Sequence, residues 1–430
     1  MLIYHAPTSS GMNPKTMDIP QPIPLYPTYA ELKDMRLGDY PDLKAFLEAD
    51  DAPTWRLQHW QWGLDFLKYV GRNKSEHTYN RFRNDIERFL LWALLTQTVP
   101  VDEFRKTHIL DYADFCWKPP VKWIGFASSD RFIPRNGAYF THPEWLPYRL
   151  KTPKNQPVEK LDKKKYKPSQ ETLKAMFTGV TAFYKYLMNE ELCYGNPAQI
   201  AKSDCRYFIA DAQVREIRRL TEMQWQYVLD TTHHHADTDR MYERSLFVIA
   251  CLKTLFLRIS ELSEREQWSP EMRHFWQDEH NNWWLKVYGK GRKLRDVTVP
   301  SQFLDYLKRY RKFRGLPALP SPSDNSPLVE KIRGQGGMTA RHLTRLVQEI
   351  FDLAYSKLKA DAGEDAARKL QEASTHWLRH TGASMEIERG RALKDLSEDL
   401  GHASMATTDT IYVQSENRKR AESGKGRKVD

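Results

Sequence analysis

Six side chains in the second half of this sequence could together carry out chemistry on a phosphodiester. They are Arg258, Lys290, His376, Arg379, His402 and Tyr412. The planar guanidinium of arginine fits two phosphate oxygens at once, and histidine can donate to a phosphate oxygen or move a proton. A tyrosine hydroxyl can attack phosphorus while fixed cations stabilise the transition state. Because no matching carboxylate cluster for magnesium or manganese is evident, the set indicates metal-free transesterification.

The spacing of these residues indicates how local structure presents them. Arg258 adjoins a strongly apolar helical run, where an arginine is costly unless it is paired or serves a site. Lys290 lies in a tight turn between two glycines, and His376 and Arg379 are three residues apart on one face of a predicted helix. Tyr412 follows His402 by ten residues. Its hydroxyl has an ordinary pKa of about 10, so it needs help to lose a proton at neutral pH.

Each of these residues also has an ordinary structural explanation. Arg258 could form an ion pair with Glu261 or Glu264, and Lys290 could be an exposed hairpin lysine. Either histidine could be a hydrogen-bonded structural side chain, and Tyr412 could be a packing tyrosine. The ordered set, rather than any single residue, favours a site.

Histidine and cysteine patterns give little support for a metal or a disulfide framework. The consecutive histidines His233–His235 have no clear partner ligands, which favours an exposed helix end or loop. None of the four cysteines forms a C-x-x-C pair, so neither a zinc finger nor a disulfide scaffold is indicated. We expect buried or half-buried free thiols in a reducing cytoplasm.

The composition indicates a globular protein with a polyanionic partner. The chain has 430 residues, which suggests two domains, and its 40% hydrophobic residues are enough for real cores. A net charge of +10 favours nucleic acid first and a membrane surface second. The start of the chain lacks a secretory pattern, and no apolar run approaches the ~20 residues that span a bilayer. We expect a cytoplasmic protein.

Periodicity predicts a helical first domain and a mostly helical second domain with a small sheet. Two helices are predicted in residues 54–98, the second capped by Ser75, and another in residues 169–195. Two strand-like runs, Trp283–Tyr288 and Arg295–Val299, flank the turn of Lys290. The predicted organisation is an N-terminal extension of unreadable role (1–50), a helical domain (51–200) with an aperiodic insertion (about 116–168), a linker (201–217), a second domain (218–415) and a basic tail (416–430).

Several basic residues outside the six are candidates for DNA contact. Arg81 and Arg83 lie off the apolar stripe of their helix, where a solvated face is equally expected. Lys163, Lys164 and Lys165 end the insertion, whose mixture of basic and aromatic residues suits either DNA backbone contact or a flexible, solvated segment. Arg292 lies in the turn of Lys290.

The motifs, taken in order, resemble the signature of the tyrosine recombinase (phage integrase) family. The matching motifs are Arg258 with Ile259–Leu262, Gly-Lys290-Gly-x-Lys, His376-x-x-Arg379-His380-Thr381, Leu400-Gly401-His402 and Thr407-Thr408 before Tyr412. Residues 75–92 and 182–197 are similar to the family's core-binding domain. The resemblance covers roughly residues 55–415. It departs from the family in residues 1–50, in the long insertion and in the spacing of ten between His402 and Tyr412.

The resemblance implies a fold and a role for each residue. The fold would be mainly α with a small antiparallel β-sheet in the catalytic domain, and the two domains would form a C-shaped clamp on DNA. Tyr412 would form a 3′-phosphotyrosyl bond, and Lys290 would protonate the leaving 5′-oxygen. Of the other residues, Arg258 and Arg379 would clamp the phosphate, His402 would hydrogen-bond it, His376 would contact it or accept the proton of the nucleophile, and Glu261 and His380 would support these groups.

The resemblance also implies partners and leaves alternatives open. A recombinase of this family would need no cofactor, metal or ATP. It would join double-stranded recombination sites as a homo-tetramer, with accessory DNA-bending or partner recombinase proteins, in a bacterial cytoplasm at the nucleoid. Its reaction would serve integration, excision or transposition of a mobile element. The alternatives are a type IB topoisomerase-like enzyme, a catalytically silent DNA-binding relative, and an RNA-binding or scaffold protein.

Overall fold

The computed structural model describes residues 19–150, 161–208, 218–289, 293–402 and 424–425. By its internal contacts the chain divides into two compact units, residues 1–213 and 214–430. Lys290, Arg292 and Tyr412 lie outside the described residues, as do most of the basic tail and most of the expected linker. Among the described helices, none is both long and apolar enough to cross a membrane.

The first unit is built on helices whose ends follow the local sequence. Its helices are α1 (Pro41–Leu47), α2 (Arg56–Asn73), α3 (Glu76–Thr96), α4 (Lys106–Trp117), α5 (Gln170–Asn189) and α6 (Pro197–Asp204). The Ser75 side chain accepts a hydrogen bond from the backbone of Thr78 and so caps α3, as predicted. Tyr79, Ile86 and Phe89 on the apolar stripe of that helix are fully buried. The helices predicted in residues 54–98 are confirmed.

The insertion after α4 is folded, and this corrects one of its two expected interpretations. Strand β1 (Ile124–Gly125) pairs with β4 (Tyr148–Arg149), while β2 (Phe132–Arg135) and β3 (Ala138–Thr141) form an antiparallel hairpin. Trp123, Trp145 and Tyr148 are buried in the core of the unit. The alternative of a flexible, solvated insertion is therefore wrong for residues 118–150.

The N-terminal segment packs on the same core through one buried carboxylate. Glu87 accepts hydrogen bonds from the backbone N–H groups of Leu25 and Tyr26, and it pairs with Arg131 of the insertion. Arg131 also donates to the carbonyl of Tyr26. All four groups are buried, so the segment and the insertion complete the core of this unit.

The first unit extends further along the chain than the sequence indicates. Asn196 caps α6 by accepting from the backbone of Gln199, and Pro197 occupies the first helical position. A short 3-10 helix follows at Arg206–Phe208, and Cys205 is buried. Residues 201–208, expected in the linker, therefore belong to the packed unit. All four cysteines are buried free thiols, as predicted.

The second unit is helical around one antiparallel sheet. Its helices are α7 (Glu222–Thr238), α8 (Glu243–Thr254), α9 (Ile259–Leu262), α10 (Ser301–Phe313), α11 (Ala340–Ala362), α12 (Glu364–Glu372), α13 (Thr375–Glu388) and α14 (Leu393–Leu400). Strands β5 (Phe275–Gln277), β6 (Trp283–Tyr288) and β7 (Leu294–Val299) pair in that order, antiparallel throughout. The predicted fold class, mainly α with a small antiparallel sheet in the second domain, is confirmed.

A close approach between α13 and the end of α8 sets the frame for the candidate site. A Cβ added to Gly382 on α13 would collide with the carbonyl oxygen of Lys253 on α8, so only glycine permits this contact. The chain then leaves α8 through the buried Leu255–Leu257. Phe256 has a φ of 51°, which turns the chain sharply toward Arg258.

Candidate active site

Four of the six predicted catalytic residues lie in the described structure, and three separate segments bring them together. Arg258 is the N-cap of α9, His376 and Arg379 lie on α13, and His402 follows the end of α14. Gly401 ends α14 with a φ of 60°, a left-handed conformation that suits glycine and turns the chain into His402.

Arg379 joins the segments of Arg258 and His402. Its side chain is 1% exposed and donates to the carbonyl oxygens of Phe256 and Leu400. Its Nη2 atom lies 3.4 Å from Nε2 of His402. Because a buried guanidinium needs partners for its donors, these carbonyls fix its position.

Glu261 is a carboxylate that the arginines of this cluster share, and it is 3% exposed. Its Oε1 accepts from Nη1 of Arg258 at 2.9 Å, and its Oε2 accepts from the Arg258 backbone at 2.8 Å. Oε2 also lies 4.0 Å from Nη1 of Arg379. Burial alone would raise the pKa of Glu261, but the hydrogen bonds and charge of Arg295, with Arg258 and Arg379, hold it below its usual value.

Arg295 is a site residue that the sequence reasoning did not identify. It donates to Oε1 and Oε2 of Glu261 at 2.8 and 3.0 Å, and its Nε donates to the carbonyl of Asp399 at 2.9 Å. A signal was available, since Arg295 alternates in phase with Val297 and Val299, which are buried. A strand places alternate residues on one face, so this arginine had to face the interior.

Three histidines beside the arginines have low pKa values. Burial, with the charges of Arg379 and Arg258, lowers the pKa of His402 to about 4. His376 is exposed by its surface area, yet desolvation and the charges of the same two arginines lower its pKa. Burial and the neighbouring His376 lower the pKa of His380 to about 3. The rings of His376 and His380 meet edge to face at 4.5 Å. All three are therefore neutral at pH 7 in the free protein.

The predicted DNA-contact residues of the first unit have different surroundings. Arg83 is 8% exposed and donates to the carbonyl of Pro27, so the expectation of a surface role is corrected by its burial. Arg81 is exposed and lies 3.8 Å from Asp85. Lys163–Lys165 form a 3-10 turn in which the last two residues are exposed.

His233–His235 lie in the last turns of α7, at a helix end as expected, but only His234 is exposed, whereas His233 and His235 are half-buried. The ring of His233 lies 3.1 Å from the Tyr306 hydroxyl. No group of three or more metal-ligating side chains occurs within the ranges that the structure describes.

The arrangement is suited to an anion. Arg258, Arg295 and Arg379 supply three positive charges against the single negative charge of Glu261, so the cluster carries a net charge of +2 with its histidines neutral. Arg258 is 24% exposed at its side chain, compared with 1% for Arg379. A phosphate could therefore approach Arg258 first, with the buried charge behind it.

Comparisons with known proteins agree with this chemistry. Residues 218–419 match the phage integrase family, a range that contains all six candidate residues. The tyrosine recombinase XerC of Neisseria meningitidis serogroup B is 30% identical over 131 residues, which are 30% of this chain and 37% of that protein. The chain thus spans little more than a third of the length of the first curated relatives it matches.

Longer matches cover more of the chain at lower identity. XerC of Azotobacter vinelandii is 27% identical over 251 residues, which are 57% of this chain and 70% of that protein. The crystal structure of the XerH site-specific recombinase bound to a palindromic difH substrate, a post-cleavage complex, has a TM-score of 0.54 at 14% identity and covers 92% of both chains. This likeness shows that the fold is shared.

Proposed function

We propose that this chain, whose residues 218–419 match the phage integrase family, is a tyrosine recombinase that cuts and rejoins duplex DNA at specific sites. The observation that carries the proposal is the convergence of Arg258 and Arg379 on Glu261, with His402 beside Arg379. These residue types can stabilise the negative charge of a phosphoryl-transfer transition state, and they lie within the stretch that matches the family.

In the proposed reaction, one phosphodiester is exchanged for another. The Tyr412 hydroxyl attacks the scissile phosphorus, a 3′-phosphotyrosyl bond forms, and the bond from phosphorus to the 5′-oxygen breaks. The proton of the nucleophile passes to His376, and Lys290 protonates the leaving 5′-oxygen. Attack of a 5′-hydroxyl on the phosphotyrosyl bond reverses these steps. Because the bond energy stays in the ester, the reaction needs neither ATP nor a metal.

The different exposure of the two arginines supports different roles for them at the phosphate. Arg258 is the more exposed arginine and Arg379 the more buried, so we assign the first to capture and the second to fixed charge stabilisation. His402 is neutral in the free protein, with a pKa of about 4. A bound phosphate would raise that pKa, because a nearby negative charge favours the protonated ring.

We propose further that both units contact duplex DNA and that four copies act on two synapsed sites, with accessory proteins where the element requires them. The net charge of +10 supports a DNA partner. Arg81, Lys163–Lys165 and Arg292 remain proposed DNA contacts, whereas Arg83 is left out because it is buried. The role would be integration, excision or transposition of a mobile element in a bacterial cell.

Covalent trapping tests the proposal. The purified protein is mixed, in EDTA, with nicked suicide duplexes drawn from DNA flanking its own gene, and the products are resolved on a denaturing gel. We expect a protein–DNA adduct that Tyr412→Phe abolishes while DNA binding is retained. An adduct that persists in Tyr412→Phe would refute the assignment of the nucleophile. Tight binding without an adduct would favour a silent DNA-binding relative, and relaxation of supercoiled plasmid without a preferred site would favour a topoisomerase.

A further inference from the structure

Arg295 is not one of the proposed catalytic residues, but it contacts Glu261 and Asp399, which lie within three residues of Arg258 and His402 in the sequence. Its guanidinium binds both carboxylate oxygens of Glu261, at 2.8 and 3.0 Å, and Glu261 in turn holds Arg258. Its Nε donates to the carbonyl of Asp399, three residues before His402. One side chain thus joins α9, the strand β7 and the end of α14.

Two glycines make room for this side chain. A Cβ added to Gly401 would lie 2.9–3.1 Å from the Cδ, Nε and Cζ atoms of Arg295. A Cβ added to Gly289 would lie 2.9 Å from its Nη1 atom. Gly401 directly precedes His402, and Gly289 directly precedes Lys290 in the sequence. The glycine in each of these motifs is therefore explained by the passage of Arg295 through the space that a side chain would fill.

A second ion pair holds the same end of α14. Asp399 is 3% exposed and accepts from the backbone and hydroxyl of Thr298 on β7, and it pairs with Arg391. The carbonyl of Asp399 is taken by Arg295. The side chain and the backbone of Asp399 are thus bound separately to β7, which fixes the point where the chain turns into His402.

From these contacts we infer that Arg295 is a positioning residue that sets Glu261 and the Gly401–His402 segment in register for the proposed reaction. The inference rests on the proposed function for its catalytic consequence, although the placement itself is testable without DNA. Arg295 is 13% exposed at its side chain, and its donors are engaged by Glu261 and Asp399. It therefore acts through these groups and is not assigned a contact with the phosphate.

The electrostatic surroundings of His402 supply a readout that a merely structural role would not move. Within the described part of the chain, the charged and titratable groups that act on this ring include Arg379, Arg258, Arg295 and His376, together with the adjacent His380. All the arginines lower the pKa of His402. Removal of the Arg295 charge should therefore shift the His402 titration upward from about 4.

The test compares Arg295→Gln and Arg295→Lys with wild type in the full chain. His402 is titrated by NMR on protein labelled at histidine, with its signal assigned by its loss in His402→Gln. The rate of adduct formation is measured at saturating suicide duplex. The matched control is Arg311→Gln. Arg311 is 1% exposed, and its Nη1 atom lies 2.7 Å from Oδ2 of Asp324, in an ion pair that is separate from this site.

We expect Arg295→Gln to raise the His402 midpoint and to slow adduct formation by about 100-fold, the usual cost of a misplacement near 1 Å. DNA affinity should stay within about threefold, and Arg295→Lys should restore the midpoint and part of the rate, since lysine keeps the charge but not the bidentate fork. Arg311→Gln should change neither. An unchanged adduct rate in Arg295→Gln, or an equal loss in Arg311→Gln, would overturn the inference. If wild type formed no Tyr412-dependent adduct, the proposed function would fail. The titration of His402 would still test the placement of Arg295 beside it.

Discussion

Replacing Glu261 by glutamine removes the negative charge on which the arginine cluster depends. Each carboxylate oxygen accepts two hydrogen bonds from arginine donors, Oε1 from the side chains of Arg258 and Arg295, and Oε2 from the Arg258 backbone and Arg295. A glutamine amide keeps one acceptor oxygen and presents N–H groups at the other position. Two hydrogen bonds are therefore lost whichever way the amide is turned.

The size of the effect follows from these contacts. A hydrogen bond to a charged group contributes about 1.5–3 kcal/mol, and breaking a buried ion pair costs about 3–5 kcal/mol. Because Glu261 is 3% exposed, solvent cannot replace the lost charge. We expect Glu261→Gln to destabilise the second unit by about 3–5 kcal/mol and to slow adduct formation, since Arg258 and Arg379 lose their common partner.

Urea unfolding at pH 7, followed by tryptophan fluorescence, measures the stability, and adduct formation per folded molecule measures the chemistry. Glu243→Gln is the control, because Glu243 binds Arg309 through both carboxylate oxygens in the same unit but outside the cluster. It should lower stability without slowing the chemistry. Wild-type stability and rate in Glu261→Gln would refute the reasoning, as would an equal loss of rate in Glu243→Gln.

Three further outcomes are expected. Arg258→Ala and Arg379→Ala should each slow adduct formation by about 10²–10³-fold through lost charge stabilisation, and a loss of DNA binding alone would contradict this. DNA affinity should fall by about 10³-fold or more between 50 and 200 mM salt, measured by fluorescence anisotropy; a flat dependence would contradict a phosphate-dominated interface. Burial lowers the pKa of His59 to about 4, so the folded state binds this proton less tightly than the unfolded chain. The first unit should lose about 3 kcal/mol of stability as the pH falls from 6.5 to 4, and denaturation midpoints should depend less on pH in His59→Gln.

Much of the site could be predicted because its chemistry lies in short motifs. The helix cap at Ser75 is a local hydrogen bond within three residues, and strand alternation placed Trp283–Tyr288 correctly. The sequence also indicated that His376 and Arg379 share a helix and that Arg258, beside an apolar run, is either paired or part of a site. Such features depend on contacts within one or two turns of chain, which periodicity and residue type report directly.

The packing of the first unit could not be predicted from such local patterns. The insertion looked aperiodic because its strands are two to four residues long, too short for alternation to register. Arg83 looked like a surface residue because a helix pattern cannot show that the N-terminal segment covers it and supplies the carbonyl of Pro27. Arg83 reaches Pro27 across 56 residues, and Arg131 of the insertion reaches Tyr26 across 105 residues.

The residue types and their order predicted a class of chemistry, because Arg258, Arg379, His402 and their companions suit contact with a phosphate. Only the tertiary structure decided how those residues are held. Glu261 and Arg295 are 34 residues apart, and Arg295 reaches Asp399 across 104 residues. A contact of that kind has no period and no local signature. It exists because folding brings the guanidiniums of Arg258, Arg295 and Arg379 together around a buried carboxylate, and Arg379, which is itself buried, needs backbone carbonyls as acceptors there.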